Sequence, residues 1–132
     1  MIDHFNAYGI PVRDLDKCVA FYRDKVGLKL ELKQDDIAYF VFSKQERPGV
    51  ALVTMENAVN LMSEAMVRPK EETIHRTYFA VFVDDVDKEY EELRSRGVNF
   101  VKPPTTFPWG QRIAYFEDPE GNLWEVSTFL KK

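Results

Sequence analysis

Val12-Arg13-Asp14-Leu15-Asp16-Lys17 and Val83-Asp84-Asp85-Val86-Asp87-Lys88 are near copies of one hexapeptide, 71 residues apart. Each copy follows a short apolar stretch and precedes a helical pattern that stops at a glycine, Gly27 and then Gly97. The only two histidines, His4 and His75, also fall at equivalent places. A repeat of this length exceeds the usual solenoid unit, so a duplicated supersecondary block is the better reading. Two such blocks imply a pseudo-twofold architecture, with strands of the two halves facing one another.

Working outward, Phe5 to Val12 reads as a strand with Tyr8, Ile10 and Val12 on one face and Ala7, Gly9 and Pro11 on the other. Asp14 or Asp16 can cap a helix that runs to about Lys25 and ends at Gly27. Leu28 to Leu32, Ala38 to Phe42 and Val50 to Met55 read as strands, with Gln45 to Gly49 as a loop. Residues 56–72 are more polar and read as a linker with about two turns of helix. His75 to Val83 restarts the pattern as a strand, followed by a helix over Val86 to Arg96 and a short strand over Asn99 to Val101. Lys102 to Pro108 reads as loop, since its prolines cannot donate to a ladder. Ile113 to Glu117 and Leu123 to Phe129 are strands joined by Asp118-Pro119-Glu120-Gly121-Asn122, a sequence with turn chemistry. The expectation is an α+β fold, one domain of two βαβββ modules: about 1–56 and about 73–132, with a linker over about 57–72.

The 132 residues suit one domain, and 45% apolar residues suffice for a core. A net charge of −4, with no basic cluster, disfavours nucleic acid as a partner. Cys18 stands alone, which excludes an intrachain disulfide and a cysteine-rich zinc site. No stretch has the length of a membrane span, and Met1 to His4 does not open a signal peptide. A reducing cytoplasm is the simplest location.

The last strand carries Glu125. It is either a solvent-facing charge on an edge strand or a carboxylate aimed into a concave sheet. If Trp124 and Val126 pack under the helices, then Leu123, Glu125 and Ser127 face the other way. A curved, duplicated sheet has an inside, and that favours the concave face.

Val12-Arg13-Asp14-Leu15-Asp16-Lys17, with Phe21-Tyr22-Arg23-Asp24 and Gly27-Leu28, resembles the first half of the vicinal oxygen chelate superfamily. That group includes glyoxalase I, bleomycin- and fosfomycin-resistance proteins and extradiol dioxygenases. Phe79 to Val86 and Trp109 to Glu125, with the Asp118-Pro119-Glu120-Gly121 turn, are similar to its closing half. The resemblance implies a glyoxalase-like, cup-shaped sheet, completed in many members by a homodimer. It also implies that metal-using members hold a divalent ion in the cup.

Carried over residue by residue, the family's ligand positions fall on Ala7, on Tyr78, among Ala51, Leu52 and Val53, and on Glu125. Only Glu125 keeps a coordinating group. A divalent ion needs several N or O donors converging at about 2.0–2.3 Å. His4 and His75 lie three residues before their family slots, an odd step that aims a regular strand's side chain at the opposite face. The expectation is therefore no metal and no other cofactor, with a divalent metal as the alternative.

What remains is a cup with small and aromatic walls. Ala7, Gly9 and Ala80 leave room, Tyr78 offers a phenol, and Glu125 a carboxylate. Trp109 is either a wall of the ligand site or a plug of the core, and Arg112 either meets an anionic ligand or is an ordinary surface arginine. The expected function is metal-independent binding of a small organic molecule, as in bleomycin-resistance-like members. The alternative is a glyoxalase I-like lyase or isomerase with Glu125 as general base and Tyr78 as acid. A third reading is a dimerisation module with a filled cup.

Overall fold

The structure is a computed structural model describing Phe5, residues 7–64 and residues 77–130, apart from the side chain of Glu46. His4, His75 and residues 65–72 of the expected linker lie outside the described residues. The chain divides into two compact units, Met1–Glu72 and Thr73–Lys132.

In the first unit, β1 (Ala7–Val12) leads into α1 (Leu15–Ala20), which continues as a π-helical segment (Phe21–Val26). Then come β2 (Lys29–Lys33), β3 (Ile37–Phe42), β4 (Gln45–Thr54) and α2 (Met55–Leu61). The sheet order is β1-β4-β3-β2, with β1 parallel to β4 and the other pairs antiparallel. The second unit repeats the plan with β5 (Phe79–Phe82), α3 (Val86–Ser95), β6 (Asn99–Thr106), β7 (Gln111–Glu117) and β8 (Leu123–Phe129). Its sheet order is β5-β8-β7-β6, again with one parallel pair, β5 and β8. Each unit is thus a βαβββ module. Among the described residues, no helix is long and apolar enough to cross a membrane.

The repeated hexapeptide works as a helix start in both units. Asp14 and Asp85, its third residue, accept a hydrogen bond from the backbone N–H of Lys17 at 3.0 Å and of Lys88 at 3.1 Å. This satisfies a first-turn donor that the helix itself cannot. The next residue of each copy, Leu15 or Val86, is buried. Both helical runs end at a glycine with positive φ, Gly27 at 86° and Gly97 at 88°, a region costly for residues with a Cβ. The span from capping aspartate to glycine is one residue longer in the first copy. The wider π-helical turns at Phe21–Val26 take up that residue.

Alternation along the strands sorts each sheet into a helix-side face and an open face. In the first unit the helix side holds Ile10, Val12, Ala38, Phe40, Val50 and Leu52, all buried, with Tyr22 of the π-helical segment against Phe40. In the second, five rings form a continuous run across the helix side. Phe79 meets Trp124 at 4.9 Å, Trp124 stacks on Phe116, Phe116 meets Phe100, and Phe100 meets Tyr90 of α3 at 4.8 Å. Offset and edge-to-face ring pairs add to the apolar burial.

Two expected loops are strand instead. β4 begins at Gln45, so residues 45–49 belong to the sheet. Pro48 is tolerated because the β1 ladder starts one residue later, at Ala7 and Gly49, and the β3 ladder is irregular nearby, between Phe40 and Phe42. β6 likewise extends through Pro103 and Pro104 to Thr106. It is the edge strand, and both prolines fall inside a register shift between Lys102 and Thr105, where no ladder donor is required. The helix expected in the linker starts at once, at Met55, under a cap from Thr54 to the N–H of Asn57, and Ala58 is buried. The strand expected from His75 is assigned from Phe79.

Candidate functional site

The site is built by the β7–β8 hairpin. Asp118 is buried at the turn, and its carboxylate accepts from the backbone N–H of Glu120 and of Asn122 and from the Asn122 side-chain amide, at 2.7–2.9 Å. Backbone bonds from Asp118 to Asn122 and from Gly121 back to Asp118 close the same turn. A turn locked this way fixes the register, pairing Glu117 with Leu123 and Tyr115 with Glu125.

Glu125 lies on the open face, 8% exposed, while its neighbours Trp124 and Val126 pack on the helix side. The Tyr115 hydroxyl donates to Glu125 Oε1 at 2.9 Å across the strands. Burial, and then the hydrogen bond to Glu125, push the Tyr115 phenol up to about 12, since both favour its neutral form. Tyr115 therefore stays protonated and orients the carboxylate. Tyr78, which precedes β5, sets its ring edge-to-face against Tyr115 at 6.2 Å and is 54% exposed. Ala80 is the β5 partner of Glu125 on the same face. Tyr78, Ala80 and Glu125 are thus brought together around Tyr115.

Sequence reasoning missed Tyr115. The signal was available, because a hairpin turning on Asp118 to Asn122 places Tyr115 opposite Glu125.

Ser127, two residues beyond Glu125 on the same face, is buried and accepts from the Gln111 side-chain amide at 3.1 Å. Gln111 in turn accepts from the Trp109 indole N–H at 2.9 Å. Trp109 stacks on Phe107 and is exposed, so it stands tethered beside the open face and not in the core. Phe82 and Phe129 meet on that face at 6.1 Å, both exposed.

Arg112 does not join the group. It alternates to the helix side of β7 and is engaged there. Its guanidinium makes two bonds to Asp87, at 2.7 and 2.8 Å, and one to Thr106. The Asp87 that holds it belongs to the second copy of the repeated hexapeptide.

Ala7 and Gly9 lie on the open face of the first unit's sheet, paired with Gly49 and Ala51. A Cβ added at Gly9 would meet nothing within 4 Å. At Gly49 a Cβ would overlap the Phe40 carbonyl oxygen and lie 2.7 Å from the Tyr39 ring. The Gly49 N–H donates to the Tyr39 hydroxyl at 2.8 Å, which holds that ring down on the strand.

Among the described residues, the donor chemistry around Glu125 does not fit a divalent metal. Its immediate neighbours on the face are a methyl group, a phenol and a hydroxyl, from Ala80, Tyr115 and Ser127. Among the described residues no three His, Cys, Asp or Glu side chains converge on one point. On the open face of the first unit, Ala7, Gly9 and Ala51 carry no donor, and the Tyr39 hydroxyl is engaged by the Gly49 N–H.

Comparison with known proteins places the chain. It is 31% identical over 120 residues to the uncharacterized protein YraH of Bacillus subtilis, covering 90% of this chain and 93% of that one. It is 30% identical over 116 residues to lactoylglutathione lyase GLX1 of Arabidopsis thaliana, covering 87% of this chain but 40% of the plant protein. The crystal structure of a glyoxalase/bleomycin resistance protein/dioxygenase from Nocardioides superposes with a TM-score of 0.81 at 26% identity, over 99% of this chain and 86% of that one. The sequence pattern of one superfamily matches residues 1–126. The chain belongs to the glyoxalase/bleomycin resistance protein/dioxygenase superfamily.

Proposed function

We propose that this protein binds a small, partly apolar organic molecule on the open face of its second sheet, and that it does so without a metal. The observation that carries the reading is the Tyr115–Glu125 pair, a nearly buried carboxylate held by a phenol, with the exposed ring of Tyr78 beside it. Few polar anchors among aromatic surfaces are what small-molecule sites usually offer. Trp109, tethered through Gln111 to Ser127, supports the same reading as a wall of the site. The proposal includes a homodimer in the cytoplasm, in keeping with the family resemblance and the lone cysteine; sedimentation velocity checks the dimer.

The test is a protein-observed NMR screen of aromatic fragments in the presence of a chelator. Hits that shift the amides of Tyr78, Tyr115 and Glu125 are expected. A screen without such hits, or binding that returns only when a divalent ion is added, overturns the reading.

A second reading is a lyase resembling the plant relative, favoured by the burial of Glu125. A carboxylate held in place can act as a general base. Tyr115 is the phenol within hydrogen-bonding distance of Glu125, so it joins Tyr78 as a candidate acid. Hemithioacetal turnover that is lost in Glu125→Gln and persists with chelator would establish it.

A further inference from the structure

We infer that the molecule bound on this face is an organic cation, an amine or a similar group seated on the second carboxylate oxygen of Glu125. The inference rests on the binding reading above and adds the charge of the ligand. Glu125 is 8% exposed, and among the described residues its one hydrogen bond comes from Tyr115 to Oε1. Among the described residues Oε2 has no donor, and it is not a buried oxygen, so it is reachable from the face. No arginine, lysine or histidine among the described residues pairs with this carboxylate. A ligand that covers this carboxylate strips water from it, which is costly unless the ligand brings a compensating positive charge. A positively charged ligand supplies the missing partner through a charge-assisted hydrogen bond.

The surrounding groups point the same way. The Tyr115 hydroxyl already spends its proton on Oε1, so it directs no donor at an anion. Tyr78 exposes a ring close to the carboxylate, and an aromatic face attracts a cation. Among the described residues one cation shares the row, Lys102, paired with Tyr115 on the side away from Glu125. Its ammonium lies over the Phe107 ring at 5.1 Å, which holds it off the carboxylate. An anionic ligand would meet Glu125 unprotected by any of these groups.

The experiment compares three probes of one shape: 1-naphthylmethylamine, 1-naphthylmethanol and 1-naphthoate. Each is titrated calorimetrically into the full chain at low salt, with the site followed by the amide shifts of Tyr115 and Glu125. The amine is expected to bind about tenfold more tightly than the alcohol, with the carboxylate weakest. Added salt should narrow the gap, and Glu125→Gln should bring amine and alcohol together. Arg112→Ala, on the opposite face, should leave the ranking intact.

Equal affinity for amine and alcohol, or a preference for naphthoate, overturns the cation inference and leaves the binding reading standing. Failure of all three probes to shift these amides overturns both. The wild-type ranking and its salt dependence decide the question even where Glu125→Gln does not fold.

Discussion

Replacing Tyr115 with phenylalanine removes one oxygen and tests the centre of the site. In the folded protein that hydroxyl donates to Glu125 at 2.9 Å, and its pKa is raised from 10.0 to about 12. Burial contributes most and the bond to Glu125 next. The folded state therefore holds this proton more tightly than the unfolded chain does. Below pH 10 both states are protonated and stability does not vary with this group. Between pH 10 and about 12 the unfolded chain releases the proton first, so this part of the stability is lost as pH rises. At 1.36 kcal/mol per pKa unit the full effect would be about 2.7 kcal/mol. Tyr115 is only half-buried, and solvent screening brings the expectation to about 1–2 kcal/mol. Urea melts of wild type and Tyr115→Phe, taken at intervals across this range, should converge as pH rises. The near-ultraviolet titration gives an independent reading. Of the six tyrosines, the one absent from the variant should be a late-titrating phenol. A difference spectrum showing an ordinary phenol near 10, together with parallel melts, would refute the assignment of Tyr115 as the buried partner of Glu125.

Other substitutions probe the frame that holds the site. Gly49→Ala forces a methyl group onto the Phe40 carbonyl and the Tyr39 ring and should cost about 3 kcal/mol in chemical denaturation; an unchanged midpoint would contradict the close approach. Asp118→Ala removes the acceptor of three hydrogen bonds and should lower stability by about 2–3 kcal/mol, with loss of the Tyr115–Glu125 contact detectable by NMR. Asp14→Ala and Asp85→Ala should each cost about 1 kcal/mol, and a difference between them well beyond that would separate the two caps that the repeat equates. Trp124→Ala breaks the five-ring run and should cost about 3–5 kcal/mol in thermal or urea unfolding.

The repeat was legible because it is local chemistry. A capping aspartate, a buried neighbour and a closing glycine act within one helix, so both modules and their element order can be read from the chain. The turn at Asp118 to Asn122 was legible for the same reason. The extents of β4 and β6 were not. Whether Pro48, Pro103 and Pro104 break a strand depends on which neighbours need their missing donors, and that is a property of the sheet. The longer span before Gly27 was visible, but its resolution into π-helical turns was not.

The site divides along the same line. Strand parity alone put Glu125 opposite Trp124 and Val126, since side chains must alternate. Arg112 was separated from the site only in three dimensions, because Asp87 lies on α3, distant in sequence and adjacent in space. Trp109 was tied to the open face by a relay through Gln111 to Ser127 on another strand. The sequence by itself determined two βαβββ modules and the parity of their strands, because caps, glycines and alternation act over a few residues. Only the tertiary structure decided which side chains meet Glu125, because contacts across strands depend on register, and register is set by pairing.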